Sequence, residues 1–141
     1  MLLSAKPYVE HKIKELKEQV NKLKIKPTLA LIRVGNDQAS IKYVNNKIKR
    51  CEEVGIKSQV HELPEHVDQK DVAKLIEKLN NDKTGTGILL QLPLPSHLDE
   101  HYLTNLIKAS KDVDGFTITN TGKLSLGMDC NVACTPKGII D

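Results

Sequence analysis

The run Thr28-Leu29-Ala30-Leu31-Ile32-Arg33-Val34 limits most strongly how this chain can fold. It is almost continuously apolar, is far shorter than the roughly 20 residues of a membrane span, and is bounded by Pro27 and by Gly35-Asn36-Asp37. Such a segment predicts a strand buried on both faces, as in a parallel sheet covered by helices. Two further segments are read as strands. Lys57 to Leu63 is one, and Ile88 to Gln91 is the other, introduced by Gly85-Thr86-Gly87 and stopped by Pro93 and Pro95, which cannot donate to a ladder.

Helical periodicity fills the intervals. From Pro7 to Lys24, Val9, Ile13, Leu16, Val20 and Leu23 recur at alternating steps of four and three and predict one apolar face. Pro7 suits the first turn, where its missing N–H costs nothing, and Lys22 and Lys24 suit the negative end of the helix dipole. Asp37 is read as the cap of a second helix ending at Val54, with Gly55 as a left-handed stop and Ile41, Val44, Ile48 and Cys51 inward. Asp68 caps a third, whose inner face is Val72, Leu75, Ile76 and Leu79, and a fourth is expected over Asp99 to Ala109. Helix alternating with strand predicts an α/β fold, a three-layer parallel sheet flanked by helices. Residues 111 to 132, rich in Asp, Gly, Thr and Asn, are long for an idle connection and read as a functional loop or a small hairpin. Thr135-Pro136 resembles the cap and first turn of a last helix, and the chain stops at Asp141 as though cut.

Composition narrows the function classes. A net charge of +3 with 3% aromatic residues gives nucleic acid neither a strong field nor stacking platforms. The N-terminus lacks the basic start and apolar stretch of a secretory signal. Cys51, Cys130 and Cys134 cannot all pair and form no CxxC element, so a cytoplasmic setting is expected.

In open parallel sheets, ligands collect beyond the carboxyl ends of the strands. Three segments fall there: Gly35 to Ser40 leading into Tyr43 and Lys47, the turn from Gln91 to Pro95, and Lys111 to Gly115. Tyr43 and Lys47 are four apart and share a helix face, where they serve either a common ligand or only solvent. Because an ordinary lysine is neutral about once in 2,500 molecules at pH 7, a lysine here works as a base only when burial or a second cation intervenes, and otherwise as a protonated donor. Gln91 offers an amide donor and acceptor at a strand end. Asp112 and Asp114 form either an Asx turn or a carboxylate able to take two parallel hydrogen bonds from a planar amidine-like group. His97-Leu98-Asp99-Glu100-His101 matches an inverted zinc-peptidase pattern, but Pro95-Ser96 places His97 at or before a helix start and no third ligand is marked, so no metal is assigned. Gly122 to Gly127 has phosphate-loop spacing without the following Lys-Ser/Thr and reads as a turn.

Taken together and in order, Val34-Gly35-Asn36-Asp37-Gln38-Ala39-Ser40 with Tyr43-Val44 and Lys47, Gly87 to Pro95, Lys111-Asp112-Val113-Asp114-Gly115-Phe116, and Cys134-Thr135-Pro136-Lys137-Gly138 resemble the bifunctional methylenetetrahydrofolate dehydrogenase/methenyltetrahydrofolate cyclohydrolase family. The resemblance covers essentially residues 1–141 and matches only the family's N-terminal catalytic, folate-binding domain. It implies that a C-terminal NAD(P)-binding Rossmann domain is absent here, that no cofactor-binding residue lies in this chain, and that NADP or NAD serves the intact enzyme.

By the same resemblance Lys47 is the central catalytic group. Tyr43 contacts the folate rings, Gln91 hydrogen-bonds Lys47, and Asp114 holds the pterin's amino and ring N–H groups. Leu92 and Pro93 wall the pocket and Ser40 lines its edge. The implied reactions are oxidation of 5,10-methylenetetrahydrofolate with NAD(P), then hydrolysis of 5,10-methenyltetrahydrofolate to 10-formyltetrahydrofolate, within one-carbon metabolism and purine biosynthesis. The implied partner is the small-molecule folate substrate, with no nucleic acid and no membrane. The intact enzyme is expected as a homodimer and this chain as a monomer without dehydrogenase activity. Ser4-Ala5-Lys6, Gln38 and Ala133 depart from the family's usual Asp-Gly-Lys, Pro and Pro, and none of them removes a catalytic side chain. Two other readings stand beside this one: a non-catalytic folate-binding or assembly module, and a zinc hydrolase using His97 and His101.

Overall fold

A computed structural model describes residues 5–140. Among these residues, three parallel strands, β1 (Thr28–Val34), β2 (Lys57–Leu63) and β3 (Gly87–Leu90), form one sheet in the order β2-β1-β3. β1 pairs with β2 from Thr28↔Lys57 to Val34↔Leu63, and with β3 from Leu29↔Gly87 to Ile32↔Leu90. The three strands begin and end within a residue of their expected bounds, because proline and glycine mark both sides of each.

The helices are α1 (Lys6–Lys22), α2 (Gln38–Val54), α3 (Gln69–Asn81), α4 (Glu100–Leu106), α5 (Ile118–Ser125) and α6 (Cys134–Ile140). On one face of the sheet, Ala30, Ile32, Val34, Ile88 and Leu90 pack with Val72, Ile76 and Leu79 of α3 and Leu103 of α4. Alternate residues of a strand point to opposite faces, so Leu31 and Leu89, buried but outside that cluster, face the layer of α2 and α1. The architecture is the expected three-layer α/β fold.

Local signals explain the helix ends. Asp37 caps α2 by accepting the Ser40 backbone N–H at 2.7 Å, and Gly55 stops it at φ 84°. Asp68 occupies the cap position of α3 without a side-chain cap bond, its carbonyl taking the first helical N–H groups. Arg33, 5% exposed in the middle of the sheet, is satisfied by the Gly35 carbonyl and by Glu62, its neighbour in register, at 2.7 Å.

Three expectations change. The stripe on α1 is largely solvent-facing, with Val20 buried while Val9, Leu16 and Leu23 are exposed, because α1 packs mainly on α2 and reaches it near Gly55. α4 ends at Leu106 rather than Ala109, since Asn80 takes both the Leu106 carbonyl (2.7 Å) and the Lys108 N–H (2.9 Å), holding Ile107 extended. The segment from 111 to 132 is neither open loop nor hairpin: it contains α5, capped by Thr117 and anchored through buried Asn120. The last helix starts at Cys134, ahead of Thr135.

Candidate active site

The carboxyl ends of β1 and β3 carry the site. Gly35, at φ 77°, lets the chain turn sharply from β1 into the Asp37 cap. The Ser40 backbone N–H and hydroxyl hold the Asp37 carboxyl below its usual range, and Ser40 itself is buried in this first turn. One turn further, Tyr43 stands 62% exposed, and the turn after that brings half-buried Lys47 over the end of β3.

There, Lys47 Nζ donates to Gln91 Oε1 at 3.1 Å. Gln91 is fixed twice, because its backbone N–H extends the ladder onto the Ile32 carbonyl (2.8 Å) and its Nε2 donates to the Leu92 carbonyl (2.7 Å). That second bond turns the amide so that its oxygen faces the lysine. The chain then passes through the cis Leu92–Pro93 peptide, and Glu100 accepts the Leu94 N–H at 2.9 Å to close the turn. A cleft of about 500 Å³ runs beside it, lined by Val34, Gly35, Asn36, Asp37, Glu65, Pro93, Leu94 and Pro95. A larger hollow of about 670 Å³ between α3 and α4 shares no residue with the Lys47 cluster.

Asp114 is the third member. Burial pushes its carboxyl up, the Lys47 charge pulls it partly back, and the Asp112 charge adds to the rise. No described side chain or backbone N–H donates to Asp114, whereas Asp112 is 2% exposed and fully engaged: it accepts from Gly115 N, Thr117 N and Asn120 Nδ2, each at 2.9 Å. Burial raises the Asp112 carboxyl, and hydrogen bonds from Thr117, Asn120 and the Phe116 backbone more than offset it, so that it titrates low. Asp112 makes no Asx turn, which would bond the N–H two residues on; it closes a wider turn onto Gly115 and Thr117, three and five residues on, and Asp114 is left as the carboxylate with open acceptors near a cation. Asn120 and Asn131, which serve this turn, carried no local signal.

His97 and His101 form no ligand pair. His97 Nε2 lies 3.1 Å from the Val67 carbonyl, Glu100 is taken by Leu94, and among the described residues no three His, Cys, Asp or Glu side chains gather to hold a metal. No helix among them is long and apolar enough to cross a membrane.

A lysine held by an amide, opposite a half-buried carboxylate at the carboxyl edge of a parallel sheet, defines an α/β domain with an acid–base site for a small ligand. Residues 3–114 match the model of the tetrahydrofolate dehydrogenase/cyclohydrolase catalytic domain, and the chain belongs to that family. It is 50% identical over 127 residues to the bifunctional protein FolD of Moorella thermoacetica, a match covering 88% of this chain and 45% of that protein. Among solved structures, the bifunctional FolD enzyme of Campylobacter jejuni superposes with a TM-score of 0.90 at 45% identity, covering 94% of this chain and 49% of that one. The Trypanosoma brucei methylenetetrahydrofolate dehydrogenase-cyclohydrolase, solved with NADP cofactor and inhibitor, gives 0.93 at 28% identity, covering 99% and 50%. The chain thus spans about half the length of the curated relatives it matches.

Proposed function

We propose that this chain is the catalytic, folate-binding half of a bifunctional enzyme that oxidises 5,10-methylenetetrahydrofolate with NAD(P) and hydrolyses the product to 10-formyltetrahydrofolate. The observation that carries the proposal is the Lys47–Gln91 contact of 3.1 Å with Asp114 close enough to feel the lysine's charge. Asp114 takes the pterin's amino and ring N–H groups in two parallel charge-assisted hydrogen bonds. Leu92 and Pro93 wall the ring, Tyr43 stacks on the folate from the exposed side, and Ser40 holds the turn at the pocket's edge.

In the cyclohydrolase step, water adds to the electrophilic methenyl carbon. A C–O bond forms as the water loses its proton, then the bond from that carbon to N5 breaks, N5 takes a proton, and the formyl group remains on N10. Lys47, oriented by Gln91, guides the water and stabilises the oxygen as charge develops there.

The β1–α2 turn does not suit a dinucleotide: it holds one glycine, and Asp37 already takes the Ser40 N–H at the start of α2 with a negative charge, where a pyrophosphate would need it. We assign the cofactor to a separate Rossmann domain of a longer protein, in keeping with relatives about twice this length. A homodimeric, cytoplasmic enzyme supplying formyl groups to purine biosynthesis is the corresponding cellular reading.

Calorimetric titration of a non-hydrolysable 5,10-methenyltetrahydrofolate analogue tests the assignment. The unmodified chain binds, Asp114→Ala loses at least about tenfold in affinity, and Lys47→Ala abolishes hydrolysis of the methenyl substrate. Binding unaffected by Asp114→Ala overturns the pterin placement. Lys47→Ala that leaves turnover intact overturns the catalytic role given to Lys47.

A further inference from the structure

We infer that Asp112 is the positioning residue of the site, a buried carboxylate that clamps the chain on both sides of Asp114 and so sets where the Asp114 carboxylate meets its ligand. The inference rests on the reading of Asp114 as the pterin acceptor and extends it to a residue that touches no substrate.

The clamp is built from every polar group Asp112 has. Its backbone lies beside β3 in a parallel bridge to Ile88, whose N–H donates to the Lys111 carbonyl at 2.7 Å. Its own carbonyl accepts Asn131 Nδ2 at 2.7 Å. Oδ1 takes the Gly115 N–H, while Oδ2 takes the Thr117 N–H and Asn120 Nδ2, and Asn120 is anchored in turn on the Ala109 carbonyl at 3.0 Å. Gly115 completes the arrangement. It sits at φ 69°, and a Cβ there would stand 2.5 Å from the Asn131 carbonyl oxygen, so the backbone just after Asp114 is pressed against the 131 segment. With no described donor on Asp114 itself, the direction of its carboxylate is set by the chain on either side, and Asp112 holds that chain.

A neutral amide cannot replace this carboxylate. Asn at 112 still offers one oxygen, but its NH₂ then faces either the Thr117 N–H and Asn120 Nδ2 together or, flipped, the Gly115 N–H, donor against donor. The turn must open, and Asp114 moves with it.

The test compares two ligands on three proteins: the methenyltetrahydrofolate analogue and its counterpart lacking the pterin's exocyclic amino group. On the unmodified chain the amino group strengthens binding by about tenfold or more, the effect of a hydrogen bond to a charged acceptor. Asp114→Asn removes most of that preference. Asp112→Asn, checked for retained fold by circular dichroism, also lowers the preference to within about threefold of unity, which a merely destabilised but correctly formed site does not do. Full preference in a folded Asp112→Asn chain overturns the inference alone. No preference in the unmodified chain overturns the Asp114 reading and this inference with it. Should Asp112→Asn fail to fold, Asn120→Ala, which removes one of the three donors and keeps the carboxylate, is expected to lower the preference severalfold; an unchanged value there overturns the clamp.

Discussion

Asp112 and Asp114 carry the same side chain two residues apart and titrate in opposite directions. For Asp112, burial is outweighed by hydrogen bonds from Thr117, Asn120 and the Phe116 backbone, so its carboxyl is held below the ordinary 3.8. For Asp114, burial dominates, relieved in part by Lys47 and reinforced by Asp112, and its carboxyl lies above 3.8. Linkage fixes the signs. The Asp112 contribution to stability is present above the ordinary carboxylate range and is lost as pH falls through its lowered value. The Asp114 contribution is largest below that range and is lost as pH rises through its raised value, so an ionised Asp114 is a standing cost at neutral pH. Thermal melts from pH 3 to 8 are expected to show Asp114→Asn more stable than the unmodified chain near neutrality, with the advantage shrinking on acidification. Asp112→Asn is expected to be less stable near neutrality by about 1–3 kcal/mol, the cost of a buried donor left without its acceptor, with that gap closing as the pH falls. An Asp114→Asn chain no more stable than its parent at pH 7 would show that the carboxylate is solvated. The sequence Asp-Val-Asp-Gly announced a turn with an acceptor in it but not which aspartate did which task, because the choice is made by Asn120 and Asn131, eight and nineteen residues further on.

Elements were legible where their ends are chemical. β1 between Pro27 and Gly35, and α2 between the Asp37 cap and the Gly55 stop, need nothing beyond their own residues to be placed. α5 was not legible, since Ile-Thr-Asn-Thr-Gly has weak helix propensity and the helix is held by the Thr117 cap and by Asn120 reaching back to Ala109 and Asp112. The stripe on α1 was legible as a helix but not as an exposed one, because periodicity reports a face and not what covers it. Two glycines flanking α5 separate conformational from packing constraint. Gly127, at φ 67°, has nothing within 4 Å of a would-be Cβ, whereas Gly115, at φ 69°, has the Asn131 backbone there. Chemical denaturation is expected to show Gly127→Ala costing about 1 kcal/mol, the left-handed strain alone, and Gly115→Ala costing clearly more. Only the Gly115 change also weakens binding of the folate analogue. Equal costs at the two positions would mean that the 131 segment yields freely and presses on nothing.

At the scale of the whole molecule, the layers divide the chemistry. The proposed acid–base groups sit on α2, at the end of β3 and in the 111–115 turn, all on one edge of a three-stranded sheet. The start of α2, the place where a Rossmann-type turn would hold a pyrophosphate, is closed by Asp37. The two proposed reactions therefore make different demands on this chain. In the proposed reading, water attack on the methenyl carbon draws on Lys47, Gln91 and the Asp114 carboxylate, and all three side chains belong to this chain. Hydride transfer needs a nicotinamide fixed against the folate, and holding two reactants in place is worth about 7–11 kcal/mol of a barrier, which a freely diffusing cofactor does not supply. With 5,10-methylenetetrahydrofolate and either NAD or NADP, the 141-residue chain is expected to form no reduced nicotinamide above the enzyme-free rate. With 5,10-methenyltetrahydrofolate it is expected to accelerate hydrolysis in a manner that Lys47→Ala removes. The absorbance of reduced nicotinamide and the loss of the methenyl chromophore report the two steps separately on one sample. Reduced nicotinamide formed by this chain would place a dinucleotide site within its own residues and overturn the division. Hydrolysis lost along with hydride transfer, while the analogue still binds, would mean instead that closing the cleft against water is required for both steps.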